Sequence, residues 1–226
     1  MPVRRGKGLV LNEFLPASLK EPLPVHLVVL IHGLLGTSQD FTSFKDKISA
    51  MLEEKCFIYC IQSNQYRTFD GLQFSANRAA EEILACLETC PSIKRISFIG
   101  HCVGGLVGRL IVHILDNIGL FSRCMACCFI TLATPHLGLC QGSSYIHSYG
   151  FTRSNNPDII SIIAGVSGKQ LFLLDHCIYT KPNSRIKNRH NSQPLLVLMT
   201  SPPFLESLAK FSLLATYANV QGDNKV

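Results

Sequence analysis

At 226 residues the chain is long enough for one domain with a sizeable core, and its 47% hydrophobic against 16% charged residues exclude a disordered, solvating polymer. The net charge of +6 is modest, and its positives gather in two loop-like stretches, Arg4, Arg5 and Lys7 and then Lys181 to His190. With no basic helix or aromatic-interleaved basic strip, nucleic acid is not an expected partner; the stretches read as solvated loops, or as weak attraction to an anionic membrane surface.

Met1 to Gly8 is charged and no apolar core with a cleavage site follows it, so no secretory signal peptide is expected. Arg109 and Asp116 interrupt the best apolar run, so no transmembrane helix is expected either. The ten cysteines then read as reduced thiols in a cytoplasmic setting, used as small buried hydrophobes. Cys124-x-x-Cys127-Cys128 has no second pair at zinc-finger spacing, and neither metal nor organic cofactor is expected.

In chain order, Leu27 to Ile31 is an unbroken β-branched and leucine run, as suits a strand covered on both faces. His32-Gly33-Leu34-Leu35-Gly36 ends it as a loop. Phe41, Phe44, Ile48, Met51 and Leu52 recur at helical spacing, with Ser38 or Asp40 as the expected N-cap. Cys56 to Ile61 reads as a second strand. Phe74, Ala79, Ala80, Ile83, Leu84 and Leu87 mark a second amphipathic helix. Ile96 to Ile99 is a third strand, Leu106 to Leu115 carries a helical stripe, and Ala126 to Leu132 is a fourth strand.

From Cys140 to Pro194 the regularity fails, and 140–194 reads as an insertion, a lid or a surface excursion, within a single domain. Pro194 to Met199 fits strand or helix, Phe204, Leu208 and Phe211 suggest a short helix, and Leu213 to Val220 is a last strand. This alternation predicts right-handed βαβ units, a mostly parallel doubly wound sheet, and a site at the carboxyl ends of its strands. His32, Cys102 and Thr134-Pro135-His136 all follow strands directly and are expected to share that edge.

Gly100-His101-Cys102-Val103-Gly104-Gly105 sits between the third strand and its helix. This is the G-x-S-x-G nucleophile-elbow pattern with cysteine in place of serine. A sharp strand–helix bend holds its middle residue in a strained conformation, and bulky neighbours would clash there. The N–H of Val103 then lies at a helix N-terminus, where it can stabilise a developing oxyanion. The pattern suggests acyl transfer; a tight turn with a buried thiol is the plainer alternative.

Taken together, these residues resemble the putative serine esterase family, a lipase-like branch of the α/β-hydrolases. The likeness runs in order through His26 to Gly36, Ser63-Asn64 with Tyr66, Thr68 and Asp70-Gly71-Leu72, Gly100 to Gly105, Leu132 to Gly138, Gln170 to Leu173 and Tyr217 to Val220. It implies an α/β-hydrolase fold and hydrolysis of carboxylic esters, of lipids or small molecules; peripheral contact with a membrane or lipid surface is read instead from the basic loops and the apolar residues of the insertion. In that reading Cys102 is the attacking residue, Leu34 and Val103 supply oxyanion N–H groups, and Asp223 orients a histidine. His32, Gly33, His101 and His136 shape the site.

The sequence departs from the family pattern twice. Cys102 replaces serine; a thiolate is a good nucleophile, but sulfur is larger than oxygen and forms longer bonds. The family order is nucleophile, acid, histidine. No histidine follows Asp223, and the family's final strand and helix are absent, so the chain is expected to be a partial copy of the domain. Asp175 with His190 is an alternative that keeps the order. A catalytically impaired scaffold that binds lipid or protein is the alternative function.

Overall fold

The computed structural model describes residues 25–52, 56–139, 165–175, 177–178 and 192–219. Strands β1 (His26–Ile31), β2 (Cys56–Cys60), β3 (Arg95–His101) and β4 (Met125–Leu132) alternate with helices α1 (Thr42–Met51), α2 (Leu72–Thr89) and α3 (Val103–Asn117). After β4 come a helical segment, α4 (165–171), and a two-residue antiparallel pair, β5 (Cys177–Ile178) with β6 (Ser192–Gln193). Helices α5 (Leu195–Leu198) and α6 (Pro202–Leu208) and strand β7 (Leu213–Tyr217) complete the described chain.

The main sheet has five strands in the order β2-β1-β3-β4-β7, and every pairing in it is parallel. Parallel strands of this kind are buried on both faces, which is why β1 reads as one apolar run. Leu27, Val29, Ile31, Ile96 and Phe98 point to the face covered by α2, α3 and α6. Val28, Leu30, Ile58 and Ile99 point to the other face, under Phe41, Phe44 and Ile48 of the α1 region.

The chain leaves β1 toward β2 and later leaves β3 in the opposite direction toward β4. The reversal lies between β1 and β3. In open α/β sheets the crevice outside the carboxyl ends of such a strand pair is where ligands bind.

Several local expectations need correction. The N-cap of α1 is Phe41, not Ser38 or Asp40, and Thr37 caps the turn before it. A 3-10 turn, Ser38–Phe41, precedes the helix, and the Thr37 N–H donates to the Asp40 carboxylate at 3.0 Å. Asp40 is thus the acidic partner of the cap. Met51 is 85% exposed and Phe74 64% exposed, so neither joins the buried stripe to which its spacing assigns it. Of the two alternatives for the run after Pro194, strand or helix, the helix is the one that forms, with Leu195 and Leu196 buried.

The β3–β4 ladder shifts register between Ile96 and Phe98. There the Ser97 hydroxyl accepts the Cys128 N–H at 3.1 Å and pairs with His26 Nε2 at 2.9 Å, taking up a donor that the irregular ladder leaves over. Cys56, Cys60, Cys86, Cys90, Cys102, Cys124, Cys127 and Cys128 form no disulfide, and Cys86, Cys90, Cys102 and Cys124 are buried. Burial pushes the Cys86 thiol up to about 12 and that of Cys124 to about 11, so both behave as apolar groups. Among the described residues no helix is long and apolar enough to cross a membrane, and no cluster of metal-ligating side chains occurs.

Candidate active site

Cys102 stands between the last residue of β3 and the first of α3, with φ +55° and ψ −131°. A non-glycine residue there is strained, and such strain persists only where the surroundings enforce it. Three glycines make the bend possible. A Cβ on Gly100 would meet the Cα of Gly105 at 2.5 Å, one on Gly104 the Ile31 carbonyl oxygen at 2.1 Å, and one on Gly105 the Thr134 hydroxyl at 2.2 Å. The first turn of α3 is therefore wedged between the ends of β1 and β4. The Cys102 N–H donates to the Leu132 carbonyl at 2.8 Å and ties the bend to β4.

The loop after β1 lies directly on the sulfur. A Cβ on Gly33 would fall 2.7 Å from Cys102 Cβ and 3.0 Å from its Sγ, so only glycine fits. Gly33 to Gly36 form a turn closed by the Gly36 N–H to the Gly33 carbonyl at 3.1 Å. Leu34 is buried in this turn and Leu35 takes φ +56°.

Gly33, Leu34, Leu35, Gly36, Asp40, Phe41, Phe44, His101, Cys102 and Leu132 line one cavity of about 510 Å³. The size suits a small ligand, with mostly apolar walls and a few polar groups. Cys102 is only 1% exposed. His101 lines the same cavity and meets Phe41 edge-on, ring centroids 6.5 Å apart. Val103 is buried at the first position of α3, beside Cys102.

The remaining histidines have other engagements. His32 is buried, its Nδ1 3.1 Å from the Gly33 carbonyl, and burial lowers its pKa against the opposing pull of that carbonyl, Asp40 and Glu82. The Thr131 hydroxyl donates to Thr216 Oγ1 at 3.2 Å and so accepts from His136 Nε2 at 2.9 Å. Burial, and secondly the Arg109 guanidinium, hold His136 below the ordinary imidazole range. His113 pairs with Ser207 at 3.2 Å and Asn117 at 3.0 Å, its ring 4.0 Å from that of Phe204. Asp175 accepts the Leu195 N–H at 2.9 Å. Asp223, His147, His176 and His190 lie outside the described residues.

Sequence reasoning did not single out Glu82. It is buried on α2 and accepts Tyr59 O–H at 2.6 Å and the N–H groups of Gln62 and Ser63 at 2.9 and 3.0 Å. It thereby fixes the loop that leaves β2. Arg78 staples the far part of that loop through Asp70, Asn64 and the Arg67 carbonyl. The available signal was a carboxylate set among the apolar positions of an otherwise alanine-rich helix face.

The parallel sheet, its flanking helices and the cavity at the β1–β3 reversal define an α/β-hydrolase fold. Residues 21–226 match the family model described as "Putative serine esterase", and the chain belongs to that family. It is 29% identical over 211 residues to a protein of Saccharomyces cerevisiae described as "Putative lipase ROG1", covering 89% of this chain and 27% of that one. A second yeast protein, "Putative lipase YDL109C", is 26% identical over 233 residues, covering 97% of this chain and 33% of its own length. The chain thus spans about a quarter to a third of these relatives. Among solved structures it is similar to the RedJ thioesterase of the Streptomyces coelicolor prodiginine pathway, at TM-score 0.47 and 12% identity, covering 93% of this chain and 86% of that one. It is also similar to the Bacillus licheniformis lipase BlEst2, at TM-score 0.45 and 17% identity, over 68% and 30% of the two chains.

Proposed function

We propose that this chain carries the acyl-transfer site of a lipase-like carboxylic-ester hydrolase, with Cys102 as the attacking residue. The observation that supports it most is the strained Cys102, at φ +55°, in the lining of a cavity that the Gly33–Gly36 turn also lines. In this reading the Cys102 sulfur attacks the ester carbonyl carbon while a histidine oriented by Asp223 takes the thiol proton. The N–H groups of Leu34 and Val103 stabilise the oxygen that becomes negative. The C–O bond then breaks, the alcohol departs with the histidine's proton, and water hydrolyses the thioester. Phe41, Phe44 and Leu132 offer an apolar wall to the acyl chain, which favours lipid or other small esters and peripheral contact with a lipid surface. The whole chain, 1–226, is one domain in this reading, and 140–194 an insertion within it.

A second reading, an impaired hydrolase scaffold that binds lipid or protein, is favoured by the tight box around the sulfur. A Cβ on Gly33 would fall 3.0 Å from the sulfur, so little room is left on that side, and a nucleophile larger than oxygen shifts the reacting carbon. A displacement of ~1 Å costs roughly a hundredfold in rate. Hydrolysis of p-nitrophenyl butyrate and octanoate separates the two. Ester hydrolysis that falls at least about a hundredfold in Cys102→Ala and rises in Cys102→Ser supports the first reading. Turnover untouched by Cys102→Ala and by iodoacetamide removes Cys102 from the chemistry. An inert protein that becomes active only as Cys102→Ser supports the second.

A further inference from the structure

We propose that Thr68 is a positioning residue for this site: its hydroxyl holds the strained turn that carries Leu34 and couples that turn to α4. The inference rests on the oxyanion role given to Leu34 above.

The Gly33–Gly36 turn has Leu35 at its third position with φ +56°. An L-residue in that region is strained and stays there only where its surroundings impose it. Packing does not impose it here, because Leu35 is 59% exposed. What holds it is one hydrogen bond from the Leu35 N–H to Thr68 Oγ1, at 3.0 Å. That N–H belongs to the central peptide of the turn. Rotation of this peptide is the difference between the two common turn types, and it would return Leu35 to negative φ. Without the hydroxyl, strain relief favours the rotation. The main-chain dipole next to the Leu34 N–H then reverses, and a preorganised donor pair depends on such fixed dipoles.

Thr68 is itself firmly held. It is 9% exposed, and its carbonyl accepts the Ser167 hydroxyl at 2.7 Å. Ser167, fully buried, in turn accepts the Gly71 N–H at 3.0 Å. The Phe69 carbonyl accepts the N–H groups of Val166 and Ser167 at 3.0 and 3.3 Å, and Gln170 accepts the Leu72 N–H at 2.7 Å. One end of α4 therefore clamps the 68–72 bend, and that bend presents the Thr68 hydroxyl to the turn over Cys102. Thr68 does not line the cavity, so it acts through the turn and not on the substrate.

The test compares two reactions of Cys102 followed by mass spectrometry. In acylation by p-nitrophenyl butyrate a C–S bond forms, p-nitrophenolate leaves, and the thiol proton passes to the base; an oxyanion develops on the way. In alkylation by iodoacetamide a C–S bond forms, iodide leaves and the thiol proton passes to the base, with no oxyanion. Thr68→Val is expected to slow acylation about tenfold and leave alkylation within about twofold, and Thr68→Ser is expected to restore acylation. Ser167→Ala keeps the hydroxyl of Thr68 but frees its carbonyl, and is expected to slow acylation about two- to threefold. Unchanged acylation in both variants, or a parallel loss of both reactions, overturns the proposal.

If the unaltered protein is alkylated but never acylated, the ester-hydrolase reading fails on its own account. Amide exchange at Leu35 then decides the positioning claim. Exchange about tenfold faster in Thr68→Val supports it, and an unchanged rate overturns it.

Discussion

The seam between β1 and β3 and the rim, the outer elements α1 and β7, both carry large apolar side chains, yet those side chains pack in opposite ways. At the seam Leu27, Leu30, Ile96 and Phe98 are fully buried, and a single added methyl at Gly104 would sit 2.1 Å from the Ile31 carbonyl oxygen. On the rim Met51 is 85% exposed, and Leu213, Leu214 and Tyr217 of β7 are each at least half exposed. Hydrophobicity alone therefore does not locate the site. Close backbone approach does, because a reacting group must be held to about half an ångström, and only a region with no alternative packing holds it so.

The largest effect that tests this contrast is expected from Gly104→Ala. The clash is with main chain, which cannot swing aside, so a loss of about 4 kcal/mol or failure to fold is expected in urea denaturation. A Gly104→Ala protein of normal stability would erase the distinction between seam and rim. Next comes Glu82→Ala, which leaves Tyr59 O–H and the Gln62 and Ser63 N–H groups without their acceptor. A cost of about 3 kcal/mol is expected by the same measurement, since each stranded donor carries a desolvation penalty.

Acidification should act more gently. Burial lowers the pKa of His26, His32, His113 and His136 from the ordinary 6.5. Such a group takes up protons more readily in the unfolded chain. Its contribution is therefore complete above about 6.5 and is lost as the pH falls through that value toward the lower folded one. Urea midpoints measured from pH 8 to 5 should decline below about 6.5, and His136→Gln should flatten part of the slope. The smallest effect is expected at the rim: Met51→Ser should change stability by no more than about 0.5 kcal/mol. A cost of several times that would mean α1 is covered by something else.

The bend at Cys102 and its glycines were legible because strand, turn and helix follow one another in a few residues, and the steric demand of the turn writes itself into composition. The loop from His32 to Gly36 was legible for the same reason. The engagement of His136 with Thr131 and Thr216 was not, nor was the seating of Thr68 on Ser167, which lies 99 residues away. Hydroxyls and amides that hydrogen-bond across such distances leave no periodic trace. Glu82 was hidden by the same logic: periodicity identifies the buried face of α2 but not the one polar group that the face accommodates. The exposure of Phe74 and Met51 also escaped, because spacing shows which residues share a face and not whether a neighbour covers its end.

Local chemistry by itself thus determined the alternation of strands and helices, the parallel sheet, and the family to which the chain belongs. It also marked the bend that places a sulfur after β3, since each of these follows from short-range sterics and hydrophobic period. Tertiary structure alone decided that Gly33 lies beside that sulfur, that the Leu35 N–H in its left-handed conformation meets the Thr68 hydroxyl, and that His26, His32, His113 and His136 are engaged by a main-chain carbonyl, hydroxyls and an amide. Those outcomes depend on which loop ends meet at the β1–β3 reversal, and that meeting is fixed by the order of strands across the sheet, a quantity no window of sequence contains.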